Sequence, residues 1–218
     1  MLRHWRKFLI GTALVLVLGV AGGRGAEAHP HVWIDVRTTV VTDEAGRVAA
    51  VEQEWLFDPI YSAYVTGGAD PASAKGRKAL ADLMDESMRN LREYDYFMRV
   101  RADGARLALA DVAGGYTSQM SGDRLIYRFT VPLKQPVDPR GHDLDIAVFD
   151  PTYYIEMLHL EGDVVAFKGP NATGCGARIV QPAPDMDAIA LAQSLDKDAT
   201  ADDTLGAQFA ETVIVTCK

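Results

Sequence analysis

The sequence predicts an α+β domain, made mainly of antiparallel β-strands in a sandwich-like arrangement. Short runs that alternate apolar and polar residues recur from residue 32 to the end of the chain, separated by turn residues. Helical features interrupt this pattern in an insertion at about 59–93 and in an alanine-rich surface helix at about 185–196. Many short strands with hairpin turns and one helical insertion are typical of this fold class.

The N-terminus has the features of a cleavable signal peptide. Residues 1–7 are basic, an apolar run of about fifteen residues follows, and Ala26-Glu27-Ala28 provides a small-residue cleavage site. A membrane-spanning helix needs about 20 apolar residues, so a retained anchor is the weaker alternative. We therefore expect residues 1–28 to be removed and residues 29–218 to form a single periplasmic domain that is not inserted in the membrane.

Charge and cysteine content narrow the class of protein. Without residues 1–28 the chain keeps 18 basic and 29 acidic residues, a net charge of −11. Such acidity argues against nucleic-acid binding, which depends on Lys and Arg, and it suits an exported or cation-handling protein. Two cysteines in an exported chain predict a Cys175–Cys217 disulfide. The alternative, a pair of thiolate metal ligands, is weaker because the chain has no C-x-x-C motif.

The first half of the chain predicts a hairpin followed by two helices. Strands at 32–41 and 48–57 flank a turn at Asp43–Arg47. Asp58-Pro59 is typical of a helix start and Gly67-Gly68 of a helix end. Asp70-Pro71 repeats the start signal for a second helix. One face of that helix carries the apolar side chains Leu80, Leu83, Met84, Met88, Leu91 and Tyr94.

The second half of the chain predicts further strands and repeats a short motif from the first half. Asp103-Gly104 and Gly122-Asp123 are turns of two hairpins, and apolar strands continue to the C-terminus around the predicted surface helix. The sequence F-D-P-x-Y occurs at Phe57–Tyr61 and again at Phe149–Tyr153. Because each copy follows an apolar strand, Asp58 and Asp150 are expected at one end of a sheet, either as metal ligands or as caps of the following turn.

The segment His29-Pro30-His31 predicts a metal site. Residues i and i+2 of a strand face the same side, so the two imidazoles are able to converge. If cleavage makes His29 the first residue, its amine supplies a third nitrogen donor. Such donors suit Zn, Ni, Co or Cu. Pro30 has no N–H, which excludes square-planar coordination of the ion by deprotonated backbone amides of this segment.

Further ligands for this ion have to come from elsewhere in the chain. The predicted metal ligands are His29, His31, Asp58 and Asp150, and the possible additional ones are Glu54, His142 and His159. Strand alternation directs Glu156 away from His159, so that pair is not expected to bind one ion. The structural alternative is that the histidines are solvated side chains near a mobile terminus.

Six motifs in order resemble a bacterial family of unknown function. They are AHPHVWID, EWLFDPIYSAYV, LREYDYF, PVDPRGHDLDIAVFDPTYYIE, GCGARIV and LGAQFAETVIVTC. This family, domain of unknown function 1007, is commonly labelled the periplasmic component of an uncharacterised ABC-type transport system, and its members often accompany nickel/cobalt-type permeases. The resemblance implies a periplasmic accessory for transition metals. Members often carry a calcium-loop-like stretch that Gly67–Lys78 lacks, so no EF-hand site is expected.

The leading functional prediction is an accessory or binding protein of a transition-metal transport system. It would capture or deliver a divalent ion through the His-Pro-His segment and work with an inner-membrane metal permease or ABC-type transporter. One alternative is an interaction domain that docks on a permease without binding metal. A second is a copper-dependent oxidative enzyme, which we do not expect because the two histidines are too close in sequence for a histidine brace. No G-x-S-x-G, H-E-x-x-H or P-loop motif is present.

Overall fold

The computed structural model describes residues 30–68, 70–160, 162, 165–195 and 204–218. The predicted signal peptide and His29 lie outside these residues. The strands are β1 (Val32–Thr42), β2 (Val48–Phe57), β3 (Met98–Ala102), β4 (Ala105–Arg106), β5 (Thr117–Ser121), β6 (Arg124–Val137), β7 (Leu144–Val148), β8 (Ile155–His159), β9 (Val165–Lys168), β10 (Cys175–Val180) and β11 (Thr212–Cys217). The helices are α1 (Pro59–Thr66), α2 (Ala74–Leu91), α3 (Met186–Ser194) and α4 (Leu205–Gln208).

The first strand lies inside the larger sheet, which we call sheet A. The order is β5-β6-β2-β1-β8, and β9 also pairs with β1. β1 and β2 form the predicted antiparallel hairpin, with Ile34 opposite Phe57. On its other side β1 is parallel to β8, with Val32 opposite Ile155, and further along it is parallel to β9. The segment that begins β1 therefore enters the fold between two neighbouring strands, β2 and β8.

The smaller sheet, sheet B, is antiparallel throughout and packs against sheet A. Its order is β10-β11-β7-β3-β4. Buried side chains from both sheets and from α2 form one hydrophobic core. At its centre Trp55 of sheet A is 2% exposed and meets the Phe129 ring edge-on at 4.8 Å. Two antiparallel-dominated sheets with a few helices confirm the predicted α+β class.

The predicted insertion at 59–93 consists of two helices and a tight turn. Asp58 caps α1 and Gly67, at φ 57°, ends it in the left-handed conformation. The second helix begins three residues later than the Asp70-Pro71 signal indicates, because Ser73 accepts the amide of Gly76 and is the N-cap. The insertion ends in a turn over Arg92–Phe97.

The C-terminal part agrees with prediction in outline. The surface helix predicted at about 185–196 is α3, which spans Met186–Ser194 and is capped by Asp185. Cys175 and Cys217 face each other on β10 and β11 and form the predicted disulfide. This bond is compatible with an exported protein. In the part of the chain that the structure describes, no helix is both long enough and apolar enough to cross a bilayer.

Candidate metal site at the start of the first strand

His31 is fixed at the end of sheet A where β1 begins. Its backbone N–H donates to the Tyr154 carbonyl at 2.9 Å, which extends the pairing of β1 with β8 by one step. Its ring lies 5.1 Å from the Tyr154 ring, centroid to centroid. Hydrogen bonding and ring packing therefore hold this histidine against the sheet, as the strand that follows it at Val32 predicts.

Asp58 joins the start of β1 to the end of β2. One carboxylate oxygen accepts the amides of Ile60 and Tyr61 at 2.8 and 2.9 Å, which caps α1. The other accepts the Trp33 amide at 3.2 Å, and the Asp58 N–H donates to the Trp33 carbonyl at 2.9 Å. The predicted ligand is thus a helix cap that also fixes the backbone two residues after His31.

Asp150 has a similar role on the other side of β1. One oxygen accepts the amide and the hydroxyl of Thr152, both at 2.9 Å, and the other accepts the Ile155 amide at 3.0 Å. The residue is only 5% exposed. Since Ile155 pairs with Val32, the carboxylates of the two F-D-P motifs organise the backbone on both sides of the first strand.

The repeated F-D-P motif therefore has a structural role. Asp58 and Asp150 lie at one end of sheet A, as the sequence predicts, and both bind backbone amides there. A carboxylate has about four lone-pair positions, and three donors already occupy those of each aspartate. Their acceptor capacity for an additional cation is accordingly small.

Tyrosine side chains surround this end of the sheet. Burial raises the pKa of Tyr61, and the carboxylate of Asp58 and the phenols of Tyr64 and Tyr154 raise it further. Tyr61 also stacks on Phe57 at 5.1 Å. The neighbourhood of His31 is thus aromatic, with a phenol that stays protonated at neutral pH.

The possible additional ligands lie elsewhere. Glu54 accepts from Arg37 at 2.7 Å and from Arg128 at 2.6 Å, well along sheet A from His31. His142 contacts Asp103 at 2.6 Å in the loop before β7, at the opposite end of that strand from Asp150. Neither of them lies near the start of β1.

His159 is part of a buried polar network. Its Nδ1 is 2.9 Å from a carboxylate oxygen of Glu211, and its Nε2 is 3.0 Å from the hydroxyl of Thr38. Gln53 donates to that hydroxyl at 3.2 Å and accepts from Trp55 at 3.4 Å. These distances suit a ring with its proton on Nδ1, which donates to Glu211 while Thr38 donates to Nε2.

Thr38, His159 and Glu211 follow the hydroxyl–imidazole–carboxylate order of a catalytic triad, but all three side chains are buried. The side chains of His159 and Glu211 are 2% and 6% exposed, and Thr38 is fully buried. A nucleophile has to reach its substrate, and this hydroxyl faces the core. Its position favours a structural role. Glu211 was not among the predicted residues, since a single acidic residue before a strand carries no signal in the sequence.

Among the residues that the structure describes, no three His, Cys, Asp or Glu side chains form a group that could hold a metal ion. His29, the other predicted imidazole and terminal amine, is outside that set. The described part of the predicted site therefore consists of His31, its contact with Tyr154, and the two aspartates that fix the adjoining backbone.

Comparison with known proteins places the chain in a family. Residues 14–217 match the family described as Protein of unknown function (DUF1007). An uncharacterised protein of Haemophilus influenzae is 30% identical over 205 residues, which cover 93% of this chain and 98% of that protein. Neither description names an activity or a transport system. The match extends over both sheets and over the segment that contains the predicted metal site, and the chain is a member of the DUF1007 family.

Proposed function

We propose that this protein is a periplasmic accessory of a transition-metal transport system that captures or delivers a divalent ion at its N-terminal His-Pro-His segment. The observation that carries the proposal is the attachment of His31 to the end of sheet A through Tyr154. A histidine held in this way loses less conformational freedom on binding an ion than a histidine on a mobile terminus.

The donor chemistry of the segment supports a late first-row ion. With His29 as the first residue, the amine and two imidazoles offer three nitrogen donors within three residues, a set that suits Zn, Ni, Co or Cu. Pro30 prevents the backbone from completing a square-planar site. The remaining position is then left to water or to a ligand from the receiving protein, which favours transfer over permanent storage.

Surface features at the same end support docking on a partner. Trp33 is 46% exposed beside His31, and Ile60 and Tyr64, one turn apart on α1, are 81% and 82% exposed. Exposed aromatic and apolar side chains are frequent in protein interfaces. The expected partner is an inner-membrane permease, which would take up the ion while it contacts this surface.

A metal titration tests the proposal. Mature protein beginning at His29 is titrated with Zn(II), Ni(II), Co(II) and Cu(II), beside a form with one extra glycine before His29. We expect tight binding to the native start, weaker binding to the extended form, and loss of binding in His31→Ala. His142→Ala is the matched control and should bind as the parent does, because His142 lies in a distant loop next to Asp103.

Each outcome decides between mechanisms. Equal affinity of the two N-termini, with loss in His31→Ala, assigns the site to side chains alone. If neither form binds any of the four ions, or if His31→Ala binds as well as the parent, capture of an ion at the His-Pro-His segment is refuted. The exposed Trp33, Ile60 and Tyr64 then favour an interaction domain, which co-purification of a permease with metal-free protein would establish.

A further inference from the structure

A pocket at the edge of sheet B is lined by residues other than His31. It has a volume of about 400 Å³. Three of the sequence motifs on which the family resemblance rests meet at its walls: LREYDYF supplies Tyr94 and Phe97, FDPTYY supplies Phe149 and Pro151, and LGAQFAE supplies Ala207. The predicted metal site uses none of these five residues.

Arg99 of β3 faces this pocket without an acidic partner. Its guanidinium lies over the Phe149 ring, 5.0 Å from the centroid. Its Nε is shielded from solvent and makes no hydrogen bond, and no carboxylate among the described residues pairs with it. Neighbouring arginines differ in this respect, since Arg101 pairs with Asp145 at 2.9 Å and Arg106 with Asp95 at 2.7 Å.

The environment of Arg99 is unfavourable for its own charge. Burial lowers the pKa of the guanidinium, and the charges of Arg101 and Arg106 lower it further, while Asp145 opposes them. A shielded donor without an acceptor reduces stability. An anion in the pocket would supply an acceptor and a negative charge in direct contact with the guanidinium.

The turn that directly precedes β3 also lines the pocket, and its backbone is strained. Asp95, Tyr96 and Phe97 all have positive φ, at 50°, 57° and 55°, although none is glycine. Each such residue costs about 1–2 kcal/mol. Contacts hold the turn in place: the Tyr96 hydroxyl accepts the Val112 amide at 2.9 Å, and the Phe97 carbonyl accepts the Phe149 amide at 2.8 Å. Strain of this kind is concentrated at ligand clamps and active sites.

We propose that this pocket binds a small organic carboxylate. The planar guanidinium of Arg99 offers a two-pronged donor that matches a carboxylate. Tyr94, Phe97 and Phe149 provide apolar surface for the rest of the ligand. The volume lies at the lower end of the range typical of small-molecule sites. The inference is independent of metal binding at His31.

The charges around the pocket favour a singly charged ligand. Glu93 and Asp95 also line it, and Arg106 neutralises only Asp95. With Arg99 these four side chains sum to zero charge, so a singly charged acid brings the pocket to −1 and a doubly charged phosphate to −2, with greater repulsion from Glu93. Inorganic phosphate has no apolar part that could contact the aromatic wall, which adds to the preference for an organic acid.

The test is a binding assay on mature protein freed of metal with a chelator. The probes are acetate, butyrate, benzoate and phenylpropionate, with benzamide as the uncharged counterpart of benzoate and inorganic phosphate as the competing oxyanion, all followed by ligand-observed NMR. We expect the aromatic carboxylates to bind more tightly than acetate, benzamide or phosphate. Arg99→Ala should weaken the binding of benzoate about tenfold or more.

Two controls separate a ligand-binding role from a structural one. Arg178→Ala removes an exposed arginine of β10 and should leave benzoate binding unchanged. Arg99→Ala should unfold at the same urea concentration as the parent or a higher one, because it removes an unpaired charge. The proposal is overturned if none of the carboxylates binds, if phosphate or benzamide binds as well as benzoate, or if Arg99→Ala and Arg178→Ala behave alike.

Discussion

Glu211 is the residue whose replacement should most clearly disturb the space between the sheets. One of its oxygens accepts from both the backbone N–H and the ring of His159, at 2.6 and 2.9 Å, and the other accepts from Gln181 at 2.7 Å. Its side chain is only 6% exposed. Glu211→Gln preserves the shape of this group and removes its charge.

The cost of Glu211→Gln follows from counting donors. The carboxylate meets three N–H donors, whereas an amide has one oxygen and directs an NH₂ group at one of the two sites. The amide oxygen is able to keep both bonds from His159, and the exposed Gln181 is able to turn its own oxygen toward the new NH₂ group. The main loss is then the charge-assisted part of these bonds, and we expect the free energy of unfolding to fall by about 1–2 kcal/mol at neutral pH.

The difference between parent and variant should depend on pH. Burial opposes ionisation of Glu211, but the hydrogen bonds from His159 and Gln181 outweigh it and place the pKa below the ordinary 4.5. The stability that the charge contributes is therefore complete above the unfolded-state pKa and is lost as the pH falls through the folded-state value. Below that value Glu211 is protonated, and the parent should approach the variant.

Urea unfolding of the mature parent and variant at neutral and acidic pH measures both effects. Glu52→Gln is the control, because it removes a partner of Lys168 in an exposed ion pair and should change the free energy of unfolding by less than about 1 kcal/mol. Equal midpoints for Glu211→Gln and parent at neutral pH would refute the structural role assigned to the network. A difference that grows in acid would contradict the direction of the pKa shift.

Two further predictions concern the C-terminal part. A methyl group at Gly206 would overlap the backbone carbonyl of Asp150, so Gly206→Ala should lower the free energy of unfolding by about 1–3 kcal/mol. Gly176→Ala, which adds a methyl in open space, should not, and equal unfolding midpoints would contradict this packing. Replacing Cys175 and Cys217 by alanine should cost about 4 kcal/mol for a loop of 42 residues, measured by urea unfolding without reductant; an unchanged midpoint would show that the cross-link does not stabilise the fold.

Local sequence signals predict the elements that depend on near neighbours. The β1–β2 hairpin and the limits of α1 follow from Asp43–Arg47, Asp58-Pro59 and Gly67, because these residues make their own turn and cap hydrogen bonds. The predicted start of α2 was wrong because two capping signals lie close together in the sequence. Asp70 accepts the Ala72 amide in a separate turn, and Ser73 caps the helix.

Long-range contacts account for what the sequence could not predict. His159 was a possible metal ligand, but its partner Glu211 is 52 residues away and no local pattern joins them. The left-handed turn at Asp95–Phe97 contains no glycine, so nothing in its sequence indicates positive φ. The repeated F-D-P motif predicted the common location of Asp58 and Asp150, but a repeated motif does not reveal that backbone amides bind both carboxylates.

The position of β1 has a consequence for the order of folding. Among the described strands this one is synthesised first, yet Val32 pairs with Ile155, 123 positions later. Contacts so distant in sequence form slowly. Asp58 is able to fix its side of the strand early, whereas Tyr154 reaches His31 only after most of the chain is available. His31 thus acquires its native surroundings among the last steps, and a chain that has not finished folding lacks the arrangement proposed to capture the ion.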